Sequence, residues 1–202
     1  TFGLSNVYSY EAASDQGGRV MGIMAAALSK SDVVGIVGPI EVGDAKLYVD
    51  GFAAGALAEN AAADVKIVYT GSFSDVALAS ETAQAHATSG ADVLTGSAQM
   101  VVGAVGVAAE NGILWFGTQA NQAQLAPDVV VASQVYHWEV VISQIVSQVQ
   151  AGTLGGEIFV IDLANGGEII EYNPGYDVPA DVVAKGDAAI AGIIDGSIST
   201  GG

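Results

Sequence analysis

Short apolar runs alternate along the chain with longer segments in which apolar residues recur at helical spacing. Residues Val33–Gly38 form a continuous apolar run, which is typical of a strand that is buried on both faces. Residues Ala45–Asn60 place Leu47, Phe52 and Leu57 on one side of a predicted helix. Strands and helices that alternate in this way predict parallel sheets with crossover helices, and therefore an α/β fold.

The alternation continues to the end of the chain. The further predicted strands are Val65–Tyr69, Asp92–Leu94, Ile113–Phe116, Val129–Val131, Glu157–Ile161 and Glu168–Tyr172. The further predicted helices are Asp75–Ser89, Met100–Asn111, Trp138–Ala151 and Ala180–Asp195. Between the last two strands, Asn165-Gly166-Gly167 is a turn sequence that favours a β-hairpin.

Ligands of open parallel sheets bind beyond the carboxyl ends of the strands. The loops predicted to lie there are Gly38–Asp44, Thr70–Asp75, Thr95–Gln99, Gly117–Gln124 and Ser133–Glu139. Phe73 and Trp138 lie in these loops, where a flat ring can stack on a sugar or a base. His137 precedes Trp138 at a position suited to a ligand contact. Ordinary capping of the sheet edge is the alternative role for each ring.

Charge and hydrophobicity argue against several classes of protein. The 202 residues include 22 acidic and 5 basic side chains, which gives a net charge of −17. Such a surface repels phosphate backbones, so we expect no nucleic-acid partner, and the scattered cations form no patch for anionic lipid. The hydrophobic content of 51% excludes a disordered chain. The apolar stretches, of about ten residues, are shorter than the ~18 that a membrane-spanning helix needs.

The sequence contains no recognisable catalytic or cofactor-binding motif. Cysteine is absent, and so are the GxGxxG, P-loop, GxSxG and HExxH patterns. A histidine metal site would need both histidines, His86 and His137, together with carboxylates. His86 lies among Ala, Thr and Ser residues of a predicted helix, which favours a solvated helix face. We therefore predict a protein that is not an enzyme and that has no cofactor and no metal.

Six segments carry a resemblance to a known family. In order along the chain they are Gly35–Gly38 with Tyr48–Ala56, Tyr69–Asp75, Gly90–Val93, Ala108–Gly112, Ser133–Trp138 and Tyr176–Val182. They resemble motifs of the basic membrane protein family, the ABC transporter substrate-binding lipoproteins related to purine nucleoside receptor A. Each motif is weak by itself, but six in register are fairly specific.

The resemblance implies a type I periplasmic-binding-protein fold, with two α/β lobes joined by several crossings and a ligand in the cleft. Residues 1–32 and about 118–160 would form the remainder of the amino-terminal lobe, and residues of about 33–117 and 161–202 the carboxy-terminal lobe. Thr1–Tyr8 resembles a strand that follows the first β/α units of the family, so the resemblance implies that roughly the first third of the family's length is absent from this sequence and that its amino-terminal lobe would be incomplete. The family also implies an extracytoplasmic location, a small-molecule ligand and an ABC permease as partner.

The resemblance also assigns candidate ligand contacts. Phe73 stands at the family's purine-stacking position. The family's GVD.DQ loop, whose first Asp grips the ribose hydroxyls, corresponds to Gly117–Gln122, where the amides Gln119 and Asn121 replace both acids. We therefore expect a nucleoside-like or other ring-bearing ligand. Its predicted contacts are Phe73, Gln119, Asn121, His137 and Trp138.

A second function class stays open beside the binding protein. With the first units of the fold missing, the sheet of the amino-terminal lobe would present an open edge and a bare apolar face. Another copy of the chain, or a separate amino-terminal fragment, would cover them. A surface poor in lysine and rich in Ala, Val and Gly would also pack closely between copies. The alternative is therefore a self-assembling extracellular filament or tube subunit built on the same fold.

Overall fold

The structure is a computed structural model, and it describes residues 3–200. Its helices are α1 Ser14–Leu28, α2 Gly43–Glu59, α3 Val76–Thr88, α4 Val101–Asn111, α5 Glu139–Gln150 and α6 Ala180–Ile194. Its strands are β1 Ser9–Ala12, β2 Val33–Gly38, β3 Asp64–Tyr69, β4 Val93–Gly96, β5 Leu114–Gly117, β6 Val130–Tyr136, β7 Ile158–Ile161 and β8 Glu168–Tyr172. The predicted α/β fold is confirmed.

The strands form one large and one small sheet. The large sheet has the order β3-β2-β4-β5-β6-β8, and only β8, beside β6, runs antiparallel to its neighbour. Ile36 packs in a core with α1, α2 and α6, whereas its neighbour Val37 packs in a core with α3 and α4. The small sheet pairs β1 with β7 in parallel, and α5 packs on β7. Within residues 3–200, no helix is long and apolar enough to cross a membrane.

Within residues 3–200 the chain passes between the two sheets three times, from β1 into α1, from β6 into α5 and from β7 into β8. Helix α1 packs against α2 and α6, and β6 is part of the large sheet. Both elements therefore lie with the segment that was assigned to the other lobe, because long-range packing decides their neighbours. The lobe boundaries themselves stay a prediction.

The predicted hairpin around Asn165-Gly166-Gly167 is wrong. Strand β7 pairs with β1 and β8 pairs with β6, so the turn carries the chain from one sheet to the other. The turn chemistry itself is present, since Asn165 Oδ1 accepts hydrogen bonds from the N–H groups of Asp162 (3.2 Å) and Gly167 (2.8 Å). A turn signal is local, whereas the partner of each strand depends on the apolar face that the strand buries.

The first strand and the first helix also differ from expectation. The observed strand is Ser9–Ala12 and not Thr1–Tyr8, of which Thr1 and Phe2 lie outside the described residues. Helix α1 was not predicted at all. Its glycines, which include Gly17, Gly18 and Gly22, lower its intrinsic helix propensity, so tertiary packing must stabilise it.

Glycines bring the backbones of α1 and α2 into direct contact. Gly18 and Gly22 are one helical turn apart on α1, and Gly51 and Gly55 are one turn apart on α2. A Cβ atom at any of these positions would overlap the backbone of the opposite helix, as at Gly22, where it would meet the Phe52 carbonyl oxygen. The absence of four side chains thus allows a helix–helix distance that no larger residue permits.

The prediction of a solvated His86 is wrong. His86 is buried, and its Nε2–H donates to the Ile36 carbonyl oxygen at 3.3 Å. Burial lowers the pKa of the imidazole, which keeps it neutral. The residue shares a face of α3 with Ala79 and Ala83, and it packs over Gly35, where β2 has no side chain. The helical spacing of these small residues was the sequence signal for burial.

We expect Gly22→Ala to lower the free energy of unfolding by about 1–3 kcal/mol, because its methyl group overlaps the α2 backbone. The matched control is Gly106→Ala, in the exposed interior of α4, where a Cβ meets no atom within 4 Å. That change should raise stability by about 0.5–1 kcal/mol through helix propensity. Urea unfolding of both variants measures the difference, and equal effects would contradict close contact between α1 and α2.

Candidate functional site

A cavity of about 320 Å³ opens at the carboxyl ends of the central strands of the large sheet. Its lining comes from the start of α2 and from the loops that follow β3, β4 and β5. The lining residues are Val42, Gly43, Asp44, Ala45, Phe73, Ser97, Ala98 and Gln119. Four of the five loops in which ligand contacts were expected therefore meet at one place, because the ends of parallel strands share one edge of the sheet.

Phe73 lies in a well-ordered turn between β3 and α3. The Ser72 hydroxyl accepts hydrogen bonds from the N–H groups of Ser74 (3.2 Å) and Asp75 (3.0 Å), and the Phe73 carbonyl accepts one from Met100 N–H (3.1 Å). Asp75 caps α3 by accepting from Leu78 N–H (3.1 Å), as its position before the helix predicted. The backbone is thus fixed while the aromatic side chain stays 42% exposed beside the cavity. Such a ring is available for stacking.

Two lining residues have backbone conformations that favour glycine. Ala98 has φ +74° and Gln119 has φ +70°, and each follows the end of its strand, β4 or β5, by two residues. The Thr118 hydroxyl donates to the Gly96 carbonyl (3.0 Å) and so connects the two loops. A left-handed conformation costs a residue with a side chain roughly 1–2 kcal/mol. Strain of this kind persists mainly where a fixed geometry is useful, as at a binding site.

Asp44 is the one charged residue among the lining residues of this cavity. It lies in the first turn of α2, where the helix dipole favours a carboxylate. Burial and, to a smaller extent, the nearby Glu11 raise the pKa of its carboxyl group. Asp44 was not among the predicted ligand contacts, because nothing in the local sequence distinguishes it from the other 21 acidic residues of the chain.

Trp138 and His137 lie outside the lining of this cavity. The Trp138 ring makes edge contacts with Tyr10 (4.9 Å between ring centres) and Tyr136 (5.3 Å), at the crossing from β6 into α5. The His137 N–H donates to the Gly167 carbonyl (2.8 Å). The structure therefore groups these residues with the small sheet, and their role in ligand binding stays a prediction.

Asn121 also lies apart from Phe73 and Gln119. Its side-chain amide donates to Glu171 Oε2 on β8 (2.7 Å), and its Oδ1 accepts from Ala123 N–H (2.9 Å). Both ends of the side chain are therefore engaged within the protein. Of the predicted contacts, the structure brings together Phe73 and Gln119 and adds Asp44, Ser97 and Ala98, which were not predicted.

Comparison with known sequences identifies relatives over most of the chain. The family model Bmp, described as ABC transporter substrate-binding protein PnrA-like, matches residues 3–184. A purine-binding protein of Brucella abortus is 29% identical over 66% of this chain and 38% of its own length. The nucleoside-binding protein BmpA of Lactococcus lactis is 28% identical over 96% of this chain and 60% of its own length. The chain thus spans less than two thirds of the curated relatives that it matches.

Solved structures show the same fold. An ABC transporter solute-binding protein of Conexibacter woesei has a TM-score of 0.78 at 24% identity, covering 97% of this chain and 66% of that protein. A solute-binding protein of Aeropyrum pernix has a TM-score of 0.82 at 20% identity, covering 96% and 66%. At these identities the likeness supports the architecture only, and it agrees with the predicted periplasmic-binding fold.

We expect Gln119→Gly to raise the free energy of unfolding by about 0.5–1 kcal/mol, because glycine adopts the left-handed conformation without steric cost. The control, Ala120→Gly, changes an exposed neighbour and should lower stability by about 0.4–1 kcal/mol through chain entropy. Chemical denaturation compares the two variants. A loss of stability in Gln119→Gly as large as in the control would contradict strain at Gln119.

Proposed function

The chain belongs to the Bmp family of PnrA-like ABC transporter substrate-binding proteins, and we propose that it binds a neutral purine base or nucleoside outside the cytoplasm. In this proposal the ligand passes from the protein to an ABC permease. The observation that carries the ligand assignment is the cavity that combines an exposed aromatic ring with uncharged polar groups and a single carboxylate. The Brucella relative is named a purine-binding protein and the Lactococcus relative a nucleoside-binding protein, and both names support the same ligand class.

The chemistry of the lining favours a flat heterocycle. The Phe73 ring offers a face on which a base stacks, which contributes about 1–3 kcal/mol per base in known complexes. The Gln119 amide both donates and accepts hydrogen bonds, and the Ser97 hydroxyl does the same. Asp44 accepts hydrogen bonds from ring N–H, amino or hydroxyl groups. These groups complement the edge of a purine without requiring a charge on the ligand.

The same lining disfavours anions. It contains no lysine, arginine or histidine, and its one charged group is the Asp44 carboxylate. The net charge of −17 adds long-range repulsion. A phosphate on the ligand would therefore lie near like charge with no cation to compensate it, so nucleotides should bind worse than the corresponding nucleosides.

The amide at Gln119 bears on the choice between base and nucleoside. The family resemblance places an acid that grips ribose hydroxyls at this position. A neutral amide forms weaker hydrogen bonds to hydroxyl donors than a carboxylate does. We therefore propose that the free base binds at least as well as its nucleoside.

Calorimetric titration with adenine, hypoxanthine, adenosine, uridine and AMP tests the proposal. We expect adenine or hypoxanthine to bind, and AMP to bind roughly tenfold more weakly than adenosine because of repulsion from Asp44.

Phe73→Ala should reduce affinity for the bound base by roughly 5- to 150-fold through the loss of stacking. The control Leu125→Ala removes another exposed apolar side chain, which lies outside the lining, and should leave affinity unchanged. The proposal would be contradicted if no compound released or absorbed heat, or if Phe73→Ala and Leu125→Ala bound the base with equal affinity.

Self-assembly is a second candidate function, and the outer face of α5 favours it. Ile142, Val146 and Val149 form an exposed apolar stripe at helical spacing, and residues 140–156 contain no charged side chain. In a chain with a net charge of −17, two copies repel each other least where their surfaces are uncharged. Burial of this stripe would also remove apolar surface from water. A second copy is therefore the occupant that we propose for this face.

Light scattering coupled to size-exclusion chromatography tests self-assembly. If copies associate through α5, particles heavier than the 20.2 kDa chain should be present. The fraction of protein in these particles should rise with ionic strength, because salt screens the repulsion between copies. Ile142→Asp should dissociate them by burying a charge, whereas Val102→Asp, at an exposed position on α4, should not. A single species at the mass of one chain at high concentration and high salt would contradict this candidate.

A further inference from the structure

A buried carboxyl group lies where the three crossings between the sheets meet. Glu168, the first residue of β8, is fully buried. Its Oε1 accepts hydrogen bonds from the N–H of Gly17, in the first turns of α1 (2.7 Å), and from the side-chain amide of Gln134, on β6. Glu168 thus lies on the strand that follows the third crossing. Its carboxyl group contacts the helix that follows the first crossing, α1, and the strand that precedes the second crossing, β6.

Backbone hydrogen bonds connect the same three crossings. Ala13 N–H donates to the Ile161 carbonyl (2.9 Å), which joins the first crossing to the third. His137 N–H donates to the Gly167 carbonyl (2.8 Å), which joins the second to the third. Any movement of the small sheet relative to the large one must bend these crossings. Glu168 therefore lies inside the hinge of the molecule.

The surroundings of Glu168 favour its neutral form. Its second oxygen, Oε2, is buried without a hydrogen-bond partner, and so is Oε1 of Gln134. The carboxylates that act on it are Asp15 on α1 and Asp162 in the third crossing, and Glu168 in turn raises the pKa of Tyr136 on β6 and of Tyr48 on α2. Each of these is neutral or negative, so none compensates a carboxylate. Burial is the largest cause that raises the pKa of Glu168 to about 8, against the two hydrogen bonds that lower it.

The hinge is connected to the cavity through Tyr136. Glu168 and Tyr136 are directly opposite each other on β8 and β6. The Tyr136 ring contacts Trp138. Its hydroxyl group hydrogen-bonds the side chain of Ser14, and the negative charge of Asp44 raises the pKa of that hydroxyl. Tyr136 N–H also donates to the carbonyl oxygen of Gln119 (3.4 Å), a residue of the cavity lining, so the strand position opposite Glu168 is in direct contact with the cavity.

We propose that Glu168 is a positioning residue of the binding cleft: in its neutral form it holds the three crossings together, and its ionisation favours an opened hinge. The driving force is hydration, since water reaches the carboxylate only when the crossings separate. The proposal does not depend on the identity of the ligand, and it holds for the chain without ligand.

The direction of the pH dependence follows from linkage. In the opened state Glu168 has its ordinary pKa near 4.5, and in the closed state its pKa is about 8. The closed state therefore binds one proton more than the opened state throughout this interval. The population of the opened state should rise by up to about tenfold per pH unit from pH ~4.5 to pH ~8 and should stay constant above that.

Amide hydrogen exchange of Gly17 and His137, measured by NMR on the protein without ligand, tests the proposal. After correction for the intrinsic exchange rate, wild-type protection should fall at least about tenfold between pH ~5.5 and pH ~7.5. Glu168→Gln keeps the shape and both hydrogen bonds without a titratable group, so its protection should not change over this interval. Asp177→Asn, an exposed change, should follow the wild type. Parallel curves for wild type and Glu168→Gln would overturn the proposal.

A second variant tests the contact itself. A Cβ atom at Gly17 would overlap Glu168 Oε1, so Gly17→Ala should displace the carboxyl group. The opened state should then be populated at every pH, and the protection of His137 should lose its dependence on pH. Retention of the wild-type profile in Gly17→Ala would also overturn the proposal. If Gly17→Ala does not fold, the comparison with Glu168→Gln decides alone.

Discussion

The backbones of α1 and α2 are in direct contact, and both the cavity and the crossings between the sheets are built on the ends of these two helices. Because glycines replace side chains along this contact, the backbones of α1 and α2 touch, and α1 packs more extensively on α2 than on any other element. The amino end of α2 carries Asp44 into the cavity, and the amino end of α1 receives the carboxyl group of Glu168. The packing of this helix pair therefore sets the position of Asp44 in the cavity relative to Glu168 at the crossings.

The acidity of the chain has different consequences in different places. On the surface, carboxylates are hydrated and repel one another, which opposes contact between copies of a chain with a net charge of −17. In the cavity, partial burial raises the pKa of Asp44, and in the proposed function this carboxylate disfavours anionic ligands. At the hinge, full burial of Glu168 makes the neutral form the stable one at neutral pH. The same functional group thus provides repulsion, selectivity and a proton-dependent contact, according to its exposure.

Periodicity predicted most of the large sheet and its helices, because those elements bury faces with a regular spacing. It failed where long-range packing overrides local preference. Helix α1 contains glycines that weaken a helix in isolation, and they are present because α2 approaches closely. The turn at Asn165 is a genuine hairpin sequence, but its strands find partners elsewhere. His86 looked solvated because its neighbours are small, although small neighbours also permit burial against β2.

The residues in and near the cavity also divide into those that the sequence pattern could place there and those whose position depends on long-range packing. Phe73 and Gln119 were predictable because both lie just beyond parallel strands, whose ends must share one edge. Asp44 was not, because its distinction is partial burial beside Glu11, which no local pattern encodes. Asn121 lies in the same loop as Gln119, yet its side chain is engaged by Glu171 on β8. Proximity along the chain therefore does not determine which side of a loop a residue occupies.

The cavity and the hinge have opposite mechanical requirements, and the structure separates them. The cavity rim is stiff, since left-handed residues and a hydrogen bond between loops hold its geometry. The hinge consists of three short crossings whose only fully buried acid is also their common contact. A binding protein that closes around its ligand needs a rim that keeps its shape while the hinge changes. Placing strain at the rim and an adjustable charge at the hinge meets both needs within one fold.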